Sequence, residues 1–119
     1  MTKSEHLITC LAEECAEVAK ECGKALRFGL DDKVTMDPDG PRGKEGPTNA
    51  EKIEAEMVDL IAVYLMAADN GLVPPLNGLV PPLNILSRRW EQRIMKKQDK
   101  VRAYMKYAAR VGTIREEKP

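Results

Sequence analysis

The most apolar stretch of the chain, residues 53–66, contains an acid pair, Glu56 and Asp59, in addition to Glu54 near its start. On a helix, their i, i+3 spacing places both carboxylates on one face, about one turn apart. A second pair with the same spacing, Glu14 and Glu17, occurs earlier in the chain. Carboxylates are costly to bury unless a positive charge compensates them. A fold that buries residues 53–66 must therefore also provide a cation for the acids within them.

Two such acid pairs meeting inside a helical bundle form a ready site for a hard divalent cation. Ligation by oxygen alone favours Mg²⁺, with Mn²⁺ as a substitute. The second segment offers only Lys52 as a basic partner for its acids. A di-iron carboxylate site needs Glu-x-x-His motifs, which a chain with the single histidine His6 cannot build. The alternative is an ordinary salt-bridged helix surface, and for Glu13 and Glu21 both interpretations stay open.

Three helical segments are predicted from apolar periodicity and from residues that begin or end helices. They cover residues 4–28, 48–70 and 83–111. Ser4 is a candidate N-cap for the first, and Thr48 with Glu51 forms a capping box for the second. A glycine follows each segment, at positions 29, 71 and 112. The third segment is either one helix or two with a bend near Gln98, and the predicted fold class is all-α.

At 119 residues the chain is expected to form one domain, residues 1–112. A long loop rich in Asp, Gly and Pro is predicted over residues 30–48. Residues 71–77, Gly-Leu-Val-Pro-Pro-Leu-Asn, are repeated without change at 78–84. Because double prolines are unfavourable inside helices, the duplicated segment 71–84 is predicted to be a linker. Residues 113–119 are predicted to be a frayed tail.

The first helical segment has two faces on a helical wheel. One is apolar and comprises Leu7, Ile8, Leu11, Cys15, Val18, Ala19, Cys22 and Leu26. The other is acidic and comprises Glu13, Glu14, Glu17 and Glu21. The second segment is apolar around most of its circumference. Three helices from one chain are too few to cover both apolar surfaces, so we expect the bundle to be completed by self-association into a homodimer or homotetramer.

The composition limits the kinds of partner that the protein is expected to bind. Lys plus Arg and Asp plus Glu both number 19, and this balance argues against a general nucleic-acid binder. No apolar run approaches the roughly 18 residues of a membrane span, and the N-terminus lacks an apolar signal segment. The three cysteines lie on one predicted helix, which is not the pattern of a disulfide framework. The expectation is a cytoplasmic protein that binds neither nucleic acid nor membranes.

The acid pairs also carry a resemblance to a known family. The segment Ala12-Glu-Glu-Cys-Ala-Glu-Val-Ala-Lys20, followed by Glu56-Met-Val-Asp59, resembles the Glu-Glu-x-x-Glu … Glu-x-x-Asp signature of MazG-like, all-α nucleoside triphosphate pyrophosphohydrolases. The similarity extends through residues 24–30, 48–51 and 100–112, and the chain looks like a short, single-domain form of the kind found in phages. The chain departs from the family pattern in two places. The gap of 38 residues between Glu17 and Glu56 is longer than is usual in the family, and the duplicated segment is an addition.

The resemblance implies a role for each site residue. Glu14, Glu17, Glu56 and Asp59 would bind Mg²⁺, and Glu13 would orient water, so that Glu13, Glu14 and Glu17 form the catalytic set. Lys24, Arg27 and Asn49 would contact phosphate or sugar, and Phe28 would stack on the base; the alternatives are surface charge, a helix cap and a core aromatic.

The reaction that the resemblance implies converts a nucleoside triphosphate and water to the monophosphate and pyrophosphate. A phage branch of the family acts on dGTP, which makes dGTP or GTP the expected substrate. Two alternatives remain: a non-catalytic nucleotide-binding or structural bundle, and a relative that acts on another pyrophosphate-bearing metabolite.

Overall fold

The computed structural model describes residues 1–33, 46–76 and 80–115, with the backbone alone for residues 80–89. Within these ranges the chain forms three α-helices and no strand: α1 (Lys3–Phe28), α2 (Asn49–Asp69) and α3 (Val80–Arg110). The central helix α2 packs against both α1 and α3. None of the helices in the described ranges combines the length and apolar character needed to cross a membrane. The all-α prediction is confirmed.

Helix α1 begins one residue earlier than predicted. Its N-cap is Thr2, not Ser4, because the Thr2 hydroxyl accepts a hydrogen bond from the Glu5 backbone N–H at 3.1 Å. The helix ends at Phe28, and Gly29 follows with a φ of 97°, a conformation that favours glycine. The predicted glycine stop is confirmed. The N-cap prediction was wrong by two residues.

Helix α2 begins as predicted. The Thr48 side chain accepts from the Glu51 N–H, and the Glu51 carboxylate accepts from the Thr48 N–H, which completes the capping box. The hydrogen bond from the Thr48 backbone N–H, together with one from the Thr48 side chain, lowers the pKa of Glu51. Two further bonds tie this end of α2 to the residues that follow α1: the Asn49 N–H donates to the Asp32 carbonyl, and the Ala50 N–H donates to the Leu30 carbonyl.

The duplicated segment differs from the linker prediction. Residues 71–76 of the first copy are not helical, but residues 80–84 of the second copy form the start of α3. The prolines at positions 81 and 82 are tolerated there because the first turn of a helix has backbone N–H groups without intrahelical acceptors. Residues 77–79 lie outside the described ranges, as do residues 34–45 of the predicted long loop. Helix α3 is one continuous helix, without the alternative bend near Gln98.

The start of the predicted frayed tail is held against the N-terminus. The Met1 ammonium donates to the Thr113 carbonyl at 3.0 Å, and the Arg115 N–H donates to the Met1 carbonyl at 2.9 Å. Ile114 is buried. The prediction of fraying is therefore wrong for residues 113–115, and residues 116–119 lie outside the described ranges.

Two clusters of buried apolar side chains hold the helices together. One joins all three helices and consists of Leu7, Val63, Met66 and Val101. The other joins α2 to α3 and consists of Val58, Ala62 and Ile94, with Trp90 packed against it. Full burial of each large aliphatic side chain contributes about 1.5–3 kcal/mol. Both clusters use residues of α2, which explains its central position.

Helix α1 turns its acidic face inward, an orientation the helical wheel alone does not reveal. Leu7 is buried, and so are Glu14, Glu21 and Lys24. Much of the predicted apolar face is instead exposed, including Ile8 at 45% and Leu26 at 88%. The single chain therefore buries acids and leaves an apolar stripe uncovered.

Candidate metal centre

Three carboxylates from two helices meet at one point. Glu14 of α1 and Glu56 and Asp59 of α2 each present an oxygen atom, and these atoms all lie within 4.8 Å of one another. Glu14 is buried, while the two acids of α2 are half-buried. Two ligands on opposite sides of Mg²⁺ lie about 4.2 Å apart, twice the usual Mg–O distance. The three oxygens are thus almost close enough together to share one ion.

A lysine from the third helix neutralises part of the charge of this cluster. The Lys97 ammonium lies 2.7 Å from Glu14 Oε1 and 3.8 Å from Asp59 Oδ2. The basic partner is therefore not Lys52, the one basic residue that the second segment offers, but a lysine of another helix. One signal could have identified it: Lys97 lies three residues after Ile94 and four before Val101, on the apolar stripe of α3. A basic residue at such a position needs an acidic partner.

The cluster carries excess negative charge at Glu56. Partial burial, followed by the negative charges of Asp59, Glu14, Glu17 and Glu21, raises the pKa of Glu56. Burial, the largest single effect on Lys97, lowers its pKa, but the hydrogen bond to Glu14 and the surrounding carboxylates outweigh it, so the pKa of Lys97 is raised overall. The ammonium thus stays charged, and the Glu56 carboxylate is the group that would gain most from an added cation.

The other two acids of the predicted catalytic set lie close by but outside the cluster. Glu17 is half-buried and near enough for its charge to raise the pKa of Glu56. Its oxygens are not among those that meet within 4.8 Å in the described part of the chain. Glu13 is exposed and lines a cavity next to Glu14. Their roles as metal ligand and water-orienting acid stay predictions.

The predicted phosphate contact Lys24 is engaged within the protein. It is buried and donates to Glu21 Oε1 at 3.1 Å, one turn of α1 away. The second oxygen of Glu21 is enclosed and has no hydrogen-bond partner among the described residues. In this arrangement Lys24 neutralises Glu21, and its ammonium is not presented to a ligand.

The remaining predicted substrate contacts lie at the far end of α1. Arg27 and Phe28 are exposed, with the guanidinium 5.9 Å from the centre of the Phe28 ring. The Asn49 side chain is 0% exposed and donates to the Gly29 carbonyl at 2.9 Å. Asn49 therefore joins the start of α2 to the end of α1, and in this conformation a substrate cannot reach it.

A cavity of about 410 Å³ opens beside the cluster, between α1 and α3. Glu14 and Lys97 belong to both the cavity wall and the acid cluster. Cys10 also lines it; burial, then the charges of Glu13 and Glu14, raise the pKa of its thiol. The raised pKa keeps the thiol protonated at neutral pH, which is the less reactive form of a cysteine. This cavity was not predicted from the sequence.

No known family model, curated protein or solved structure matches this chain. The site therefore has to be interpreted from its own chemistry: three converging carboxylates, one lysine and an adjoining cavity.

Proposed function

We propose that the protein is a Mg²⁺-dependent nucleoside triphosphate pyrophosphohydrolase of the MazG-like type, with dGTP or GTP as the preferred substrate. The observation that carries the proposal is the convergence of Glu14, Glu56 and Asp59, three of the four residues to which the family resemblance assigns metal binding. Bound Mg²⁺ would neutralise the polyphosphate and acidify a water molecule. All three cysteines are free thiols, which fits the reducing cytoplasm.

Two side chains of the cluster, Lys97 and Glu56, would affect how a metal binds. A divalent cation and the Lys97 ammonium compete for the same Glu14 and Asp59 oxygens. Binding of the metal would therefore release the Lys97 ammonium, leaving it next to the position where phosphate oxygens would lie. The negative charges around Glu56, which contribute to its raised pKa, would also attract a cation.

The direct test is a screen of the eight common (d)NTPs for pyrophosphate release with the full-length protein. We expect turnover with Mg²⁺, weaker or comparable turnover with Mn²⁺, and none in EDTA. The products should be the monophosphate and pyrophosphate in equal amounts, with dGTP or GTP the best substrate. Release of inorganic phosphate alone, or no metal-dependent turnover with any of the eight, would overturn the proposal.

One observation favours the alternative of a non-catalytic or structural bundle. Lys97 already pairs with Glu14 and Asp59, and two acids that share an ammonium have less need of a metal. The two interpretations differ in their response to Mg²⁺. A metal site should raise the melting temperature as Mg²⁺ is added, whereas a closed ion-pair network should not.

We also propose that two copies associate through the outer face of α1. Six residues at alternating spacings of four and three form a stripe on the side opposite the acids: Ile8, Ala12, Cys15, Ala19, Cys22 and Leu26. This is the a/d spacing of helices that pack together, and five of the six residues are exposed in the single chain. A second copy of the same helix has a matching stripe, and association here would leave the metal centre open.

A charge placed in the middle of the stripe is expected to separate the copies. Ala19→Glu would bury a carboxylate between two apolar helix faces, which is unfavourable. The wild type should have a dimeric or tetrameric mass by light scattering at micromolar concentration, and the variant should be monomeric. Lys20→Glu is the matched control, since it introduces the same residue on another exposed side of α1. A monomeric wild type would contradict the proposed interface.

A further inference from the structure

The cavity between α1 and α3 has walls of two different kinds. Its α1 wall consists of His6, Cys10 and Glu13, and its α3 wall includes Lys100, Tyr104 and Tyr107. The volume of about 410 Å³ falls within the range of small-molecule sites, about 300–1,000 Å³. Aromatic, basic and hydrogen-bonding groups facing one cavity are the combination that recognises a nucleoside. We propose that this cavity binds the base and sugar of the nucleotide, an inference that rests on the proposed function.

The cavity adjoins the acid cluster. Glu14 and Lys97 form its end wall and also make the 2.7 Å ion pair at the metal centre. A nucleotide whose phosphates lie at the carboxylates would therefore have its nucleoside next to the cavity, on the other side of this ion pair. Lys100 lies one turn beyond Lys97 on α3, on the same wall, where it can meet a phosphate or sugar oxygen.

Two tyrosines give the cavity a surface for stacking. Tyr104 and Tyr107 are one turn apart on α3 and are 59% and 56% exposed, so their rings are not used in the core. They also border a second, more open depression of about 430 Å³ together with Lys100. Exposed aromatic rings beside a cavity are suited to stack on a nucleic-acid base, which presents a flat π-face. An ordinary surface would more often carry charged side chains at both positions.

A histidine provides a hydrogen-bonding group on the opposite wall. His6 lines the cavity, and its Nε2 atom is enclosed without a hydrogen-bond partner among the described residues. Enclosed polar atoms are almost always satisfied, and a ligand in the cavity could satisfy this one only if the imidazole ring turned toward it. Phe28, the stacking residue predicted from the sequence, lies about 27 Å farther along α1 than Cys10 and cannot serve this cavity within one chain.

The experiment compares nucleotides with a phosphate chain that lacks a base. Tyr104→Leu and Tyr107→Leu, in the full-length protein, should each raise the KM for the best (d)NTP by roughly 5- to 100-fold, the effect expected from losing a base stack. Binding of inorganic tripolyphosphate with Mg²⁺ should not change. Met95→Ala is the control, because it removes another exposed large side chain from α3 outside the cavity. Phe28→Leu tests the rival stacking position and should leave KM unchanged.

Three outcomes overturn the inference while leaving the proposed function intact: unchanged KM in both tyrosine variants, an equal loss of nucleotide and tripolyphosphate binding, or a loss with Phe28→Leu alone. If the wild type hydrolyses no (d)NTP, calorimetry with each of the four dNMPs replaces kinetics. Binding of a dNMP that weakens in Tyr104→Leu would then support the nucleoside site although the proposed function has failed. Absence of dNMP binding to the wild type would overturn the site as well.

Discussion

Replacing Glu56 by Gln should abolish turnover while making the metal-free protein more stable. The loss of activity should exceed the 10- to 100-fold typical for residues that merely support a metal ligand. The gain in stability follows from the raised pKa of Glu56, which means that the fold disfavours its ionised form at neutral pH. Removing that charge should raise the melting temperature by on the order of a few degrees in EDTA.

Thermal melts of both proteins with and without Mg²⁺ provide the measurement. The melting temperature of the wild type should rise with Mg²⁺, and that of Glu56→Gln should not. Glu54→Gln serves as the matched control on the same helix, because Glu54 is paired at the surface with Arg93 at 3.1 Å, away from the cluster. Near-normal activity of Glu56→Gln at saturating Mg²⁺ would remove Glu56 from the set of ligands.

Replacing Lys97 by Met should have the opposite effect on the metal-free protein. The methionine keeps much of the apolar stem but removes the charge that neutralises Glu14 and Asp59. Loss of a charged hydrogen bond that leaves its partner unsatisfied costs about 1–3 kcal/mol, and we expect a destabilisation in that range. Mg²⁺ should then restore more stability than it adds to the wild type, because no ammonium competes for the oxygens.

Denaturant unfolding in EDTA and at increasing Mg²⁺ distinguishes a metal centre from a structural ion-pair network. Lys96→Met is the control, since Lys96 is the exposed neighbour on α3. Destabilisation of Lys97→Met without any rescue by Mg²⁺ would favour a structural ion-pair network over a metal centre. Unchanged stability in EDTA would show that the ion pair contributes nothing measurable.

The ends of the helices could be predicted from local sequence because local hydrogen bonds decide them. Thr48 and Glu51 satisfy one another's backbone groups whatever surrounds them. Gly29 and Gly112 adopt positive φ values of 97° and 84°, where a side chain would be strained. The N-cap at Thr2 was missed because Ser4, two residues later, carries the same kind of hydroxyl, and such a choice depends on small differences in backbone path.

The meeting of the acid pairs could be predicted only in part. The i, i+3 spacing places Glu56 and Asp59 on one face of α2, and their apolar neighbours required a compensating charge. The source of that charge could not be identified by spacing within α2. Lys97 belongs to a long run of basic residues. Its place on the apolar stripe of α3 marks it out from Lys96 and Lys100, but only the packing of α3 on α2 decides which acids it meets. The cavity next to it is likewise a product of how α1 and α3 meet.

The duplicated heptapeptide shows most clearly which conformations local sequence determines and which depend on tertiary contacts. The sequence alone specifies three helices, their glycine stops and two acid pairs on defined faces. It cannot distinguish residues 73–76 from residues 80–83, which are both Val-Pro-Pro-Leu. The first copy is non-helical, and its Pro74 carbonyl accepts a hydrogen bond from the Tyr64 hydroxyl at 2.7 Å. The second copy begins α3, because it leads into a helix that packs on α2 and prolines are compatible with a first helical turn. Identical residues thus adopt two conformations, since the difference in free energy comes from the contacts on either side of them.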